Sequence, residues 1–217
     1  MRRAVAPLVL VLAGLLAGCG GQASSTPQAP VADVRIDDPD GLNGAVLPTP
    51  YDAATVTLRD TEGAAYDLAT DPRKPLTLVF FGYTHCPDIC QVVMADIASA
   101  LVRLDPARRA KVGMVFVTTD PARDSGPVLR TYLDRFDPEF QGLTGPLPAV
   151  VRAGAAFDVL IEKGKRLPSG GYDVGHGTQV LGLLPDATAP YVWTEGTSPT
   201  DLAADITTIL DGKVPAA

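Results

Sequence analysis

A run of strand formers, Leu76-Thr77-Leu78-Val79-Phe80-Phe81, leads into Gly82-Tyr83-Thr84-His85-Cys86-Pro87-Asp88-Ile89-Cys90 and then an amphipathic helical pattern from Val92 to Leu104. Two cysteines therefore sit where a buried strand ends and a helix begins. Pro87 suits a first helical position, where its missing N–H costs nothing, and this predicts Cys86 at or next to the N-cap. Unpaired N–H groups and the positive end of the helix dipole favour a thiolate there. Cys90 follows one turn later on the same face. Cβ atoms at that spacing lie roughly 5–6 Å apart in a regular helix, whereas a disulfide wants about 3.8 Å. A metal ion held by two sulfurs at about 2.3 Å each, the zinc–sulfur distance, spans the gap with less distortion. The spacing thus suits metal binding and reversible oxidation. The alternative is a plain structural disulfide or a pair of buried thiols.

The segment before this motif reads as export and tethering. Arg2-Arg3, the apolar stretch Val5 to Leu16 and the ending Leu16-Ala17-Gly18-Cys19 are too short to span a bilayer and have the layout of a signal peptide. The ending resembles a bacterial lipoprotein box with Cys19 as the lipidated residue. Residues 1–18 are expected to be removed, and 19–50, rich in Gly, Ser, Pro, Ala and Gln, to form a lipidated flexible tether. About 30 such residues reach roughly 30 Å. The expected location is extracytoplasmic, anchored by lipid to the bacterial cell membrane. Residues 1–18 carry two arginines and no acid, so their removal takes the formal net charge from −7 to −9. A chain this acidic is a poor nucleic-acid binder, and lipid rather than charge must hold it to a membrane. Of three cysteines one is assigned to lipid, which leaves one pair in an oxidising compartment.

Residues 51–217 make a single domain's worth of chain. Strands are expected at Thr55 to Leu58, Leu76 to Phe81, Val112 to Thr118, Val159 to Ile161, Thr178 to Leu184 and Tyr191 to Trp193. Helices are expected at Val92 to Leu104, Asp124 to Phe136 and Pro148 to Phe157. A last helix, capped by Ser198 with Pro199 at its first position, runs to Leu210. Strands alternating with helices predict an α/β fold, a central mixed sheet flanked by helices with an extra β-hairpin near the end. Cysteines at a strand-to-helix turn in such a sheet suggest a thioredoxin-like fold.

The chain has only two histidines. His85 adjoins Cys86, and neighbours at a strand end point to opposite faces, so it is not expected to share a metal with both sulfurs. His176, in Gly175-His176-Gly177, is the remaining candidate for a third ligand beside Cys86 and Cys90. Two thiolates and an imidazole suit copper, soft enough for Cu(I) and workable for Cu(II), one ion per chain. Zinc wants a fourth ligand. Asp120, Arg123 and Asp124 follow the next strand, and loops at the carboxyl ends of strands line the ligand crevice of open α/β sheets. They are candidates for facing the cysteines, or else for turn formation and helix capping. Asp88 reads as a first-turn acid that complements the dipole. No residue is assigned a catalytic role.

Phe81 to Cys90, Thr119-Asp120-Pro121-Ala122-Arg123-Asp124, Phe136-Asp137-Pro138 and Gly142-Leu143-Thr144-Gly145, taken together, resemble the Sco/SenC family in order over residues 55 to 212. The chain departs from the usual family pattern at Gly175 and Gln91. The resemblance implies a thioredoxin-like domain that binds one copper through Cys86, Cys90 and His176. It also implies a role in assembling the binuclear copper centre of cytochrome c oxidase. The partner implied is a copper-accepting oxidase subunit or another copper protein. The activity expected is that of a metallochaperone. The alternative is a thiol–disulfide oxidoreductase that reduces the cysteines of a copper-accepting partner through a Cys86–Cys90 redox disulfide.

Overall fold

The computed structural model describes residues 41–166, 172–175 and 177–214. In chain order the strands and helices are β1 (Ala45–Asp52), β2 (Thr57–Arg59), β3 (Ala65–Asp67), β4 (Leu76–Gly82), α1 (Ile89–Arg103), α2 (Pro106–Arg109), β5 (Val112–Thr118), α3 (Gly126–Leu133), β6 (Gln141–Leu143), α4 (Leu147–Ala155), β7 (Glu162–Arg166), β8 (Tyr172–Gly175), β9 (Val180–Leu183), β10 (Thr188–Trp193) and α5 (Pro199–Leu210). One mixed sheet runs in the order β1-β10-β9-β4-β5-β6. Its β4, β5 and β6 are parallel neighbours, whereas β9 joins β4 antiparallel and β10 and β1 continue antiparallel outward.

Alternation along the central strands divides the core in two. Leu76, Leu78 and Phe80 of β4, with Val112, Met114 and Phe116 of β5, pack under α1, α3 and α5 through Met94, Ile97, Leu129, Leu133 and Ile206. Val79, Phe81, Val115 and Val117 point to the opposite face, against Leu58, Leu68 and the α4 residues Val150 and Ala153. With both faces covered, β4 is buried along its whole length, which is why it reads as an unbroken apolar run.

Four details differ from the sequence reading. The domain boundary drawn at residue 51 falls inside β1, which pairs Ala45 with Val192 and Tyr51 with Ala189 across an irregularity; Leu42 is already buried. An edge strand with polar residues and prolines has the composition of a tether, and only its distant partner makes it a strand. Val159 to Ile161 is not a strand; the chain takes up strand geometry from Glu162. The segments Thr178 to Leu184 and Tyr191 to Trp193 pair as expected, but within the main sheet, and the separate two-stranded pairs are β2 with β3 and β7 with β8. The helix predicted over Asp124 to Phe136, with Asp124 or Ser125 near its cap, is shorter, and Ser125 is the N-cap.

Candidate metal centre

The chain leaves β4 at Gly82, where an added Cβ would stand 3.0 Å from the rings of Phe80 and Phe116. The Cys86 N–H then donates to the Tyr83 carbonyl at 3.2 Å. This turn, and the restriction that Pro87 places on the residue before it, keep Cys86 out of helical geometry. Helix α1 accordingly starts at Ile89 with Asp88 as N-cap. Pro87 is therefore not the first helical residue, and Cys86 lies two residues before the cap. Asp88 makes no side-chain capping bond. Instead the Cys90 N–H, in the first helical turn, donates to Cys86 Sγ at 3.4 Å. A sulfur thus fills the acceptor role that a capping oxygen ordinarily takes.

Both cysteines are buried, Cys86 at 6% exposure and Cys90 at 0%, among Tyr83, Val93, Met94 and Val174. Neither is in a disulfide. Burial, and then the hydrogen bond with the Cys86 thiol, push the Cys90 thiol well above its ordinary range, against a smaller opposing effect of the Tyr83 backbone. Cys90 is therefore held as a neutral thiol, and a metal that binds it must displace its proton.

The loop bearing the cysteines is tied to the end of β5. Asp124 has no exposure and accepts from the Thr84 N–H at 2.9 Å, the Thr84 hydroxyl at 2.6 Å and the Thr118 hydroxyl at 2.7 Å. Its carboxylate is thus a strut beneath the Thr84-His85-Cys86 turn. Asp120 is also buried. Its carboxylate bonds the Arg123 Nε, and the Arg123 guanidinium lies over the Tyr83 ring at 5.6 Å. The turn chemistry allowed for Asp120 is present as well, since its carbonyl accepts from the Arg123 and Asp124 N–H groups. Asp120 also lines a cavity of about 340 Å³ with Thr119, Leu147, Ile161 and Val174. His85 stands at the rim, its side chain 55% exposed. Its Nδ1 is 3.0 Å from the Thr84 hydroxyl and 3.7 Å from Asp124.

The SCO1/SenC family profile matches residues 53–211. The chain belongs to the SCO1/SenC family. It is 36% identical over 110 residues to the mitochondrial SCO2 homolog of Danio rerio, a match covering 50% of this chain and 39% of that protein. The chain spans less than half the length of the first curated relatives it matches. Among solved structures, apo Sco1 of Thermus thermophilus superposes with a TM-score of 0.69 at 26% identity, covering 77% of this chain and 96% of that one. ScoI of Bradyrhizobium japonicum, solved with copper bound, gives 0.62 at 27% identity, covering 75% and 99%. The fold of this SCO1/SenC chain is thioredoxin-like, as expected from the cysteine placement.

Sequence reasoning placed the two sulfurs of this SCO1/SenC site together, and the structure does the same. Cys19 and the whole of 1–40 lie outside the described residues, and so does His176. Among the described residues no group of three or more His, Cys, Asp and Glu side chains is close enough to share a metal. Copper nevertheless fits these donors, since two adjacent buried sulfurs in an apolar setting are the soft ligands that Cu(I) prefers. Thr84 and Thr118, which donate to the Asp124 carboxylate, escaped the sequence reading.

Proposed function

We propose that this chain is a membrane-anchored, extracytoplasmic copper-binding protein that helps assemble the binuclear copper centre of cytochrome c oxidase. Cys86, Cys90 and His176 would hold the ion as cargo. The observation that carries the reading is the pair of buried, reduced cysteines joined by the Cys90 N–H to Cys86 Sγ bond in a SCO1/SenC chain. The copper-bound Bradyrhizobium japonicum relative supports the choice of metal. For His176 the support is positional. Val174 and Val180, on either side of it in sequence, are buried in the same apolar cluster as both cysteines. The lipoprotein-like ending at Cys19 supports the anchor and the location. Among the described residues no helix is long and apolar enough to cross a membrane.

Titration of the reduced protein with Cu(I) and Cu(II) tests the reading. One copper per chain should bind, with a sulfur-to-copper charge-transfer band that disappears in both Cys86→Ser and Cys90→Ser. A full band in both variants would refute it. A second reading, thiol–disulfide exchange with the cysteines of a copper-accepting partner, draws on the same observation, since two adjacent thiols can also cycle with a disulfide. It predicts reduction of a disulfide in a model copper-acceptor peptide that is lost in either cysteine variant without copper present.

A further inference from the structure

An open cleft of about 460 Å³ lies beside the cysteine turn, lined by Thr84 and His85 of that turn and by Val128, Tyr132 and Arg135 of α3 and the residues just after it. Thr84 and His85 are the two residues before Cys86, which is the less deeply buried of the two cysteines. The two walls are fixed to each other. Asp124, two residues before α3 begins at Gly126, accepts from the Thr84 N–H at 2.9 Å and from the Thr84 hydroxyl at 2.6 Å. The cleft is thus built into the fold, and it shares no lining residue with the cavity beside Asp120.

Its charge is one-sided. None of the residues lining it is acidic, in a chain whose formal net charge is −7. The permanent charge in the cleft is Arg135. Its guanidinium lies 4.6 Å from the centre of the Tyr132 ring and 5.7 Å from that of Phe136, and its Nε donates to the Tyr132 carbonyl at 3.3 Å. Stacking and this one bond orient the fork. The side chain is exposed, and among the described residues its terminal nitrogens have no carboxylate partner. The neighbouring Asp134 is engaged by Arg130 at 2.8 Å. An oriented guanidinium with paired N–H donors matches a carboxylate, and little freedom is left to lose on binding one. Val128, 36% exposed, and the exposed Pro127 line the same cleft and offer an apolar footing next to that charge.

We infer that this cleft docks a segment of the copper-accepting partner that carries an acidic side chain beside an apolar one, with the carboxylate held by the Arg135 guanidinium. That the partner accepts copper rests on the reading above; the preference for a carboxylate rests on the cleft alone. A segment seated there lies next to the turn that bears Cys86, so docking brings the partner's own ligands up to the buried pair. Arg135 recognises the partner and takes no part in holding copper.

The test titrates the reduced, isotope-labelled full chain with acetylated and amidated pentapeptides that carry a central Glu or Asp next to Leu or Val, and with their Gln and Asn counterparts. The acidic peptides should bind about three- to fivefold more tightly than the amides, the upper range for an ion pair open to water. They should shift the amide resonances of Thr84, His85, Val128 and Arg135 first, and added salt should narrow the difference. Arg135→Gln should abolish the difference, whereas Arg135→Lys, which keeps the charge and loses the fork, should retain part of it. Equal binding of acidic and amide peptides, binding by none of them, or discrimination that survives Arg135→Gln overturns the inference. Copper uptake should be the same in wild type and Arg135→Gln, and its loss in the variant would overturn the assignment of Arg135 to partner recognition. If wild type binds no copper, the functional reading falls by itself, and the peptide discrimination still decides the cleft.

Discussion

Asp124 shows how much a single buried carboxylate can do near a reactive pair. Three donors converge on it from Thr84 and Thr118, and each charge-assisted bond is worth about 1.5–3 kcal/mol. In Asp124→Asn one oxygen acceptor becomes an NH2 that faces donors. The expected loss is about 2–4 kcal/mol of unfolding free energy in urea, because a hydroxyl or the Thr84 N–H is stranded. A loss below ~0.5 kcal/mol would mean the network is not what holds the turn. His176 calls for a prediction of another kind. Cu(I) is content with two thiolates and Cu(II) favours an added nitrogen ligand, so His176→Ala should weaken Cu(II) binding more than Cu(I) binding. Equal losses for both oxidation states in competition titrations would argue against a ligand role.

Among the elements, β1 and α5 depend on each other through Asp205. Its carboxylate has 1% exposure. It accepts from the Asn43 N–H at 3.0 Å, the Asn43 side-chain amide at 2.8 Å, the Gly44 N–H at 2.8 Å and the Trp193 indole at 2.8 Å. The lead-in to β1 is thereby pinned to the last helix and to β10, and an added Cβ at Gly44 would collide with the Trp193 ring. Asp205→Ala should cost about 3–5 kcal/mol, the scale for breaking a buried charged network. Amide exchange should rise across 45–52 before it rises in β4; unchanged protection of β1 would dismiss the latch. The β2–β3 hairpin carries Tyr66, whose phenol is pushed up to about 12, by burial first and then by the charge of Asp71. The folded value lies above the unfolded value near 10.0. The folded state therefore holds the proton longer, and this contribution is complete below pH 10 and lost as pH rises to about 12. Tyr66→Phe should show a shallower fall in stability between those pH values; an identical slope would remove Tyr66 as a cause.

At the scale of the whole molecule, the sheet assembles the site from distant parts of the chain. The carboxyl ends of β4 and β5 lie side by side through the pairing of Gly82 with Thr118, and the Thr119 N–H donates to the Gly82 carbonyl at 2.7 Å. This brings the cysteine turn against Asp120, Arg123 and Asp124. The anchor belongs to this scale as well. If Cys19 is lipidated, Cys19→Ala should release the protein from the membrane fraction to the soluble fraction in cell fractionation. Complete retention in the membrane would count against a lipid anchor.

Local physical chemistry determined what could be read from the sequence. The strand run before Cys86, the helix after Cys90, Pro199 behind the Ser198 cap and the apolar run Val112 to Thr118 each announce themselves within a dozen or so neighbours. The cysteine pair stood out for the same reason, since its spacing and its place at a strand end are local facts. Only the tertiary structure decided the rest, because it depends on residues far apart in the chain. The polar, proline-bearing stretch Ala45–Asp52 becomes a strand because β10 offers it an edge. Asp124, which sequence reads equally as a helix cap, becomes a buried strut because the end of β5 meets the turn after β4. Tyr132, a core residue by its spacing, joins the apolar cluster that also holds both thiols because α3 packs on the face of the sheet that also carries α1. Periodicity reports which side of an element is apolar, and it carries no information about which distant donor or acceptor that side will meet.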